Sequence, residues 1–261
     1  MLSYVVERSG WSDELTEMHE ADAGRDHPID LASRGRAVAE VAAHVPGDGV
    51  VLDVGCSSGW LLSDLRRELP RALVLGADFV AGPLRQLAKT DPTQPLLQLD
   101  LTRSPLPDAC LDAIVALNVL EHIEDDARAV AEMFRMLKPG GVAVIEVPAG
   151  PGLYDVFDKV LMHHRRYTRG GATSLFTRAG FTVERASHIG FFVFPAFAAV
   201  KLRNKRHLRK TEDEQRRITR SLIRATKAST AMKLVMALEN AVGRAVDYPV
   251  GVRVTFTAIK R

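Results

Sequence analysis

The residues with the plainest chemistry lie between positions 50 and 62. There the apolar run Val50-Val51-Leu52 meets Asp53, then Gly55, Ser57, Ser58 and Gly59, then the apolar start Trp60-Leu61-Leu62. A buried parallel strand, a tight turn and a helix N-terminus account for that order. Gly55 permits a sharp turn and leaves no side chain in the path of a ligand. Ser57 and Ser58 can cap the helix, whose free N–H groups favour an anionic ligand group. A nucleotide-like ligand at a βα turn follows. The dinucleotide pattern G-x-G-x-x-G would need glycine at 55, 57 and 60, and Ser57 and Trp60 break it at two of the three.

Further acids fall where strands must end. Ala72–Asp78 reads as a second strand closing in an acid, and a carboxylate at that tip can accept two bonds from a ribose. Pro95–Asp100 reads as a third strand. Leu111–Asn118 is a fourth and runs into Val119-Leu120-Glu121-His122-Ile123. A helix over Asp125–Leu137 stops at Lys138-Pro139-Gly140-Gly141, and a strand over Val142–Val147 follows at once. Five strands alternating with helices over 50–148 predict a doubly wound α/β sheet. Ligands then sit outside the carboxyl ends of the strands, at the switch point beside the first.

Together these stretches resemble the class I S-adenosylmethionine (SAM)-dependent methyltransferases. The loop matches D-x-G-x-G-x-G with Ser57 at the middle glycine. Leu-Glu-His follows the fourth strand, and Leu-Lys-Pro-Gly-Gly precedes the fifth. The match runs in order over residues 50–148. It implies a Rossmann-like seven-stranded sheet with an antiparallel last strand, and SAM as cofactor. It implies that Asp78 holds the ribose and that Asp100 lies against the adenine amino group. Asp53, Gly55, Cys56, Ser57, Gly59, Phe79, Leu101 and Asn118 complete the expected cofactor site. A helix from about Ile29 to His44, with Leu31, Val38, Val41, Ala42 and Val45 as its buried face, would belong to an N-terminal cap over residues 1–48. In relatives such a helix closes over the cofactor; Arg34 or Arg36 could meet its carboxylate, although a solvated arginine is the favoured reading. Trp11, Met18 and His19 are contact candidates ahead of it.

The acceptor should meet the turn after the fourth strand and the segment from Pro148 to Tyr167. His122 is the first candidate for a general base, with Tyr154, Asp158, His163 and His164 behind it. On a helix, Tyr154, Asp158, Leu161 and Arg165 would share one face. The run His163-His164-Arg165-Arg166-Tyr167-Thr168 resembles a bacterial subset of the family that acts in glycan, lipid-linked and secondary-metabolite pathways. No metal is expected, since adjacent histidines diverge and no carboxylate-rich triplet accompanies them.

Strands over 180–188 and 250–259 would close the sheet, so the core is 49–188 with 246–261. Residues 189–245 form an insertion, with helices over Arg216–Thr226 and Ala228–Ala245. The latter would bury Met232, Leu234, Val235, Leu238 and Val242. The insertion opens on Phe191, Phe192, Phe194, Phe197 and Val200. Residues 201–220 then hold nine Lys/Arg against three Asp/Glu, although the whole chain of 261 residues is only +3. A helical lid or a dimer surface is favoured; an apolar wedge with basic flanks at 189–210, lying on an anionic membrane, is the competing reading. Cys56 and Cys110 alone make no disulfide framework, and no signal peptide or bilayer-length run is seen, so a cytoplasmic monomer or homodimer is expected. The function expected is methyl transfer to a small-molecule or lipid-linked acceptor. RNA methylation through the basic segment, or a non-catalytic SAM-binding subunit, stands as the alternative. Nucleic acid is disfavoured because no Asn-Pro-Pro-Tyr-like signature follows the fourth strand.

Overall fold

Apolar alternation by two along Leu111–Leu117 buries both faces of the central strand. Ile114 and Ala116 pack into one apolar cluster, Ala113 and Val115 into the other, and the sequence therefore reads as an unbroken run. The computed structural model describes residues 1–4, 26–225, 230–243 and 245–261. Its strands are β1 (Leu2–Ser3), β2 (Val50–Val54), β3 (Leu73–Asp78), β4 (Leu96–Gln98), β5 (Leu111–Leu117), β6 (Leu137–Pro148), β7 (Phe181–Ile189) and β8 (Arg253–Lys260). They make one sheet in the order β1-β4-β3-β2-β5-β6-β8-β7. β8 runs antiparallel to both β6 and β7, and the remaining pairs are parallel.

The doubly wound sheet with an antiparallel last strand is thus as expected. It has eight strands rather than seven, because Leu2 and Ser3 pair with Leu97 and Gln98 at the edge. Two residues carry no periodic signal. Trp11, Met18 and His19 lie outside the described residues.

Helices α1 (Pro28–His44), α2 (Trp60–Glu68) and α3 (Ala81–Thr90) cover one face through Val41, Leu65 and Leu84. The other face takes α4 (Asp126–Met136) through Met133 and Met136. After the short α5 (Val156–Val160), α6 (Arg169–Arg178) joins it through Phe176. On α1 two expectations are corrected. Leu31 is exposed, whereas Arg34, only 7% exposed, lies over the Trp60 ring and donates to Asp64 at 3.0 Å. A buried ion pair on the α1–α2 contact holds that arginine inside.

The insertion leaves the sheet at Ile189 and returns at Arg253, two residues that pair with each other. It contains α7 (Phe194–Asn204), α8 (Glu212–Ala225) and α9 (Thr230–Gly243). The buried side of α9 is only in part the expected one: Met232 packs beside Ala32, Ile189 and Met236 as expected. Leu234 and Leu238 are 68% and 60% exposed and Val242 is exposed too, whereas Met236 and Glu239 are buried. Met236 packs with Ala32 of α1 and Ile189. The Glu239 carboxylate accepts the Gly190 and Phe192 amides at 2.6 and 3.1 Å. An acid that caps a buried turn has fixed the rotation of this helix against its apolar spacing.

Candidate active site

Left-handed backbone gathers at the carboxyl ends of β2 and β5. Gly55 and Gly59 have φ of 74° and 75°, Ser57 47° and Asn118 56°. Such conformations are costly for non-glycine residues and cluster where a site dictates the backbone. Gly55 and Cys56 donate to the Ala77 carbonyl at 2.8 and 3.0 Å, which fastens the loop to the end of β3. A Cβ on Gly55 would stand 2.6 Å from Val119 Cγ2, so the loop lies directly against the turn that follows β5. Gly59, rather than either serine, occupies the N-cap position of α2.

Asp78 ends β3 as expected. Its Oδ2 accepts the Ser57 amide at 3.1 Å and its Oδ1 the Val80 amide at 2.9 Å. Asp53 lies behind it, buried, and its Oδ2 has no hydrogen-bond partner among the described residues. Burial, and then the neighbouring Asp78, raise the Asp53 carboxyl well above its ordinary range. Asp100 caps the short turn Leu101–Arg103 by accepting from Thr102, at 2.8 Å from its amide and 2.7 Å from its hydroxyl. The Leu99 amide bonds to the Asp78 carbonyl at 3.0 Å and brings the two acids to adjoining strand ends. Cys56 and Leu101 turn their side chains into the core and present backbone only, whereas Phe79 is partly buried. Asn118 donates to Glu146 at 3.2 Å, and Glu146 in turn accepts from Arg253 at 2.8 Å.

On the other side of the Gly55–Val119 contact is the turn Leu120–His122. The Tyr167 hydroxyl lies 2.8 Å from an Asp126 oxygen and 3.1 Å from the Leu120 carbonyl, its one proton shared between these two acceptors. The His164 amide bonds to the Glu121 carbonyl at 2.7 Å. Segment 163–167 is thereby tied to the turn, and the rings of His122 and His163 meet edge to face at 4.7 Å between centroids. Tyr154 donates to the His163 carbonyl at 2.9 Å. The His164 side chain lies exposed on the surface, away from this group.

The expected helical face of Tyr154, Asp158, Leu161 and Arg165 does not form. α5 ends at Val160, and Met162, with φ 54°, reverses the chain. Arg165 goes to Asp126 and the Glu124 carbonyl, at 2.9 and 2.6 Å. Asp158 goes inward instead. It accepts from His163 Nδ1, Arg166 and Lys201, each at 2.8 Å, and from the Asp155 amide at 3.0 Å. Lys201 also reaches Asp155 at 2.7 Å. It comes from α7, so one residue of the basic run is a buried tie between insertion and core. Nothing in its local sequence distinguishes it from the exposed lysines and arginines beside it.

Three ligand-type atoms converge at the turn. One each from Glu121, His122 and His163 lie within 4.8 Å of one another. The sequence argument against a metal is that adjacent histidines diverge and that no carboxylate-rich triplet accompanies them. The fold brings Glu121 to two of them.

The cofactor side fits an adenosine-bearing, cationic ligand. Asp78 stands at the tip of β3, one oxygen of the buried Asp53 has no partner among the described residues, and a Cβ at Gly55 or Gly59 would press on Val119 or Leu87, so both glycines are held in place. Comparison with known proteins agrees. Residues 52–145 match the family model described as a methyltransferase domain. A Mycolicibacterium smegmatis protein named "Probable S-adenosylmethionine-dependent methyltransferase" is 32% identical, over 58% of this chain and 59% of that one. Trans-aconitate 2-methyltransferase of an Azoarcus species is 37% identical over 44% and 46%. The chain thus spans less than two thirds of these curated relatives. Among solved structures, an S-adenosylmethionine-dependent methyltransferase from Mesorhizobium loti superposes with a TM-score of 0.56 at 18% identity, covering 88% of this chain and 99% of that one. The fold, the ordered motifs and the matched family model lead to one conclusion: over residues 52–145 this chain carries a methyltransferase domain, on the class I fold of the S-adenosylmethionine-dependent enzymes.

Proposed function

We propose that this protein transfers the SAM methyl group to a small-molecule acceptor held at the Leu120–His122 turn. The carrying observation is the contact of Gly55 with Val119, which sets the cofactor loop and the acceptor turn side by side. When bound, the cofactor supplies an electrophilic methyl. Asp78 accepts the ribose hydroxyls, Asp53 answers the positive charge, and Asp100 takes the adenine edge. The half-buried His122 faces the acceptor and takes up its proton when it arrives protonated. Tyr154, Asp158 and His163 position that ring and exclude water rather than react.

The insertion acts as a lid. Lys201 latches α7 to the segment after β6, and α9 rests on α1 of the N-terminal cap. A metabolite-sized acceptor is supported by the name of the trans-aconitate enzyme. A secondary-metabolite or lipid-linked acceptor is the finer form of the proposal. Among the described residues no helix is long and apolar enough to cross a membrane.

Calorimetry should show SAM and its demethylated product binding with Kd of roughly 1–100 μM. Methyl-labelled SAM, incubated with the enzyme and a cell extract, should label the small-molecule or lipid fraction. Label confined to RNA would overturn the acceptor class, and binding of neither ligand by folded protein would overturn the whole reading. Asp78→Ala should weaken SAM by about 1.5–3 kcal/mol, the scale of charge-assisted hydrogen bonds, with the fold intact. Unchanged affinity would remove Asp78 from the site.

A further inference from the structure

We propose that Glu121, His122 and His163 form a three-ligand site for a divalent transition-metal cation, with at least one position open toward the acceptor. Glu121 is fully buried, and neither carboxylate oxygen has a hydrogen-bond partner among the described residues. A buried carboxylate without a partner costs several kcal/mol and calls for a physical explanation. Protonation would remove the charge but leave the new O–H with no acceptor at hydrogen-bond distance among the described residues. Two imidazoles within 4.8 Å do supply an explanation, if a cation sits between the three groups.

The second observation is the orientation of His163. Its Nδ1 faces the Asp158 carboxylate at 2.8 Å, so Nε2 is the nitrogen that remains to bind a cation. A carboxylate that orients a histidine in this way is the usual outer support of a metal-bound imidazole. Asp158 is itself fixed by Arg166 and Lys201, so the support is rigid.

Two imidazoles and one carboxylate suit zinc or ferrous iron rather than magnesium or calcium, which prefer all-oxygen shells. Tetrahedral bonds of about 2.0–2.1 Å place ligand atoms about 3.3 Å apart, so closure requires shifts on the order of an ångström. His122 is half-buried, on the short turn Leu120–His122, where such a shift is least constrained by regular structure. In the methyl-transfer reading, on which this last step rests, His122 then meets the acceptor through the cation. An acceptor oxygen bound in the open position would lose its proton more readily.

The test needs no acceptor. Tag-free protein, stripped with a chelator and dialysed, is titrated with Zn²⁺ by calorimetry and with Co²⁺ by visible absorption. One equivalent of Zn²⁺ should bind at micromolar Kd or tighter, and Co²⁺ should develop the d–d bands of a low-coordinate nitrogen–oxygen site. Glu121→Gln and His122→Ala should each weaken Zn²⁺ at least about 100-fold while circular dichroism stays unchanged; His44→Ala, a surface control, should bind like wild type. No saturable binding, or equal affinity in wild type and both site variants, overturns the proposal, as does loss of binding in His44→Ala. SAM titration of the stripped protein separates this result from the methyltransferase reading, since a failed metal site leaves SAM binding in place.

Discussion

Asp158→Ala should destabilise the protein by about 3–5 kcal/mol, the cost of removing one partner from a buried ion pair. The aspartate is 0% exposed, and its two oxygens satisfy Lys201, Arg166, His163 and one backbone amide. Truncation leaves the buried Arg166 without its acid and Lys201 with Asp155 alone, beside a cavity that cannot solvate them. Burial alone would raise this carboxyl. The bond from His163, then Lys201 and Arg166, outweigh burial and hold it well below the ordinary carboxylate range. Because the folded-state pKa is depressed, the contribution is present in full above the ordinary value near 3.8 and is lost only as pH falls through the depressed one. Urea unfolding at neutral pH is the measurement. Lys201→Met in the same background should not recover the loss, because it leaves the buried Asp155 without the cation that it keeps at 2.7 Å. A loss below about 1 kcal/mol for Asp158→Ala would show that water enters the network and that α7 is held by something else.

That network marks where the sequence stopped being legible. Residues 50–148 could be read because their signals are local. Strand alternation, the glycines of the first turn and the Lys-Pro-Gly-Gly stop each act within a few residues of where they stand. The sheet, the cofactor loop and the acids at the strand tips follow from them. The acceptor side is assembled by contacts between distant segments. Tyr167 reaches Leu120, the His164 amide reaches Glu121, and Lys201 reaches Asp155 and Asp158 from the far side of β7. No periodicity encodes such pairs. Two errors share one cause: Arg34 and Glu239 are charged residues whose burial outweighed the apolar spacing of α1 and α9. A hydrophobic pattern ranks them as surface until their partners are known. The failed face from Tyr154 to Arg165 has another cause, since Met162 turns the chain where helical spacing would have carried it on.

Gly55→Ala should cost about 2–5 kcal/mol of stability and abolish measurable SAM binding. Two effects add. A left-handed conformation costs an L-residue about 1–2 kcal/mol, and φ at this position is 74°. Overpacking costs a further 1–3 kcal/mol, because the new Cβ would stand 2.6 Å from Val119 Cγ2. The conformational part is intrinsic to the backbone, but the steric part belongs to the pair. Val119→Ala removes the obstructing methyl groups, so the double variant Gly55→Ala/Val119→Ala should be more stable than the two single losses predict, by about 1 kcal/mol or more. Its SAM affinity should return in part, since the loop regains its place against β5 while the strain at residue 55 remains. The cycle requires four denaturation curves and four calorimetric titrations. Strict additivity would show that the loop and the acceptor turn move independently. In that case the juxtaposition of Gly55 and Val119 could not be what aligns the cofactor with its acceptor.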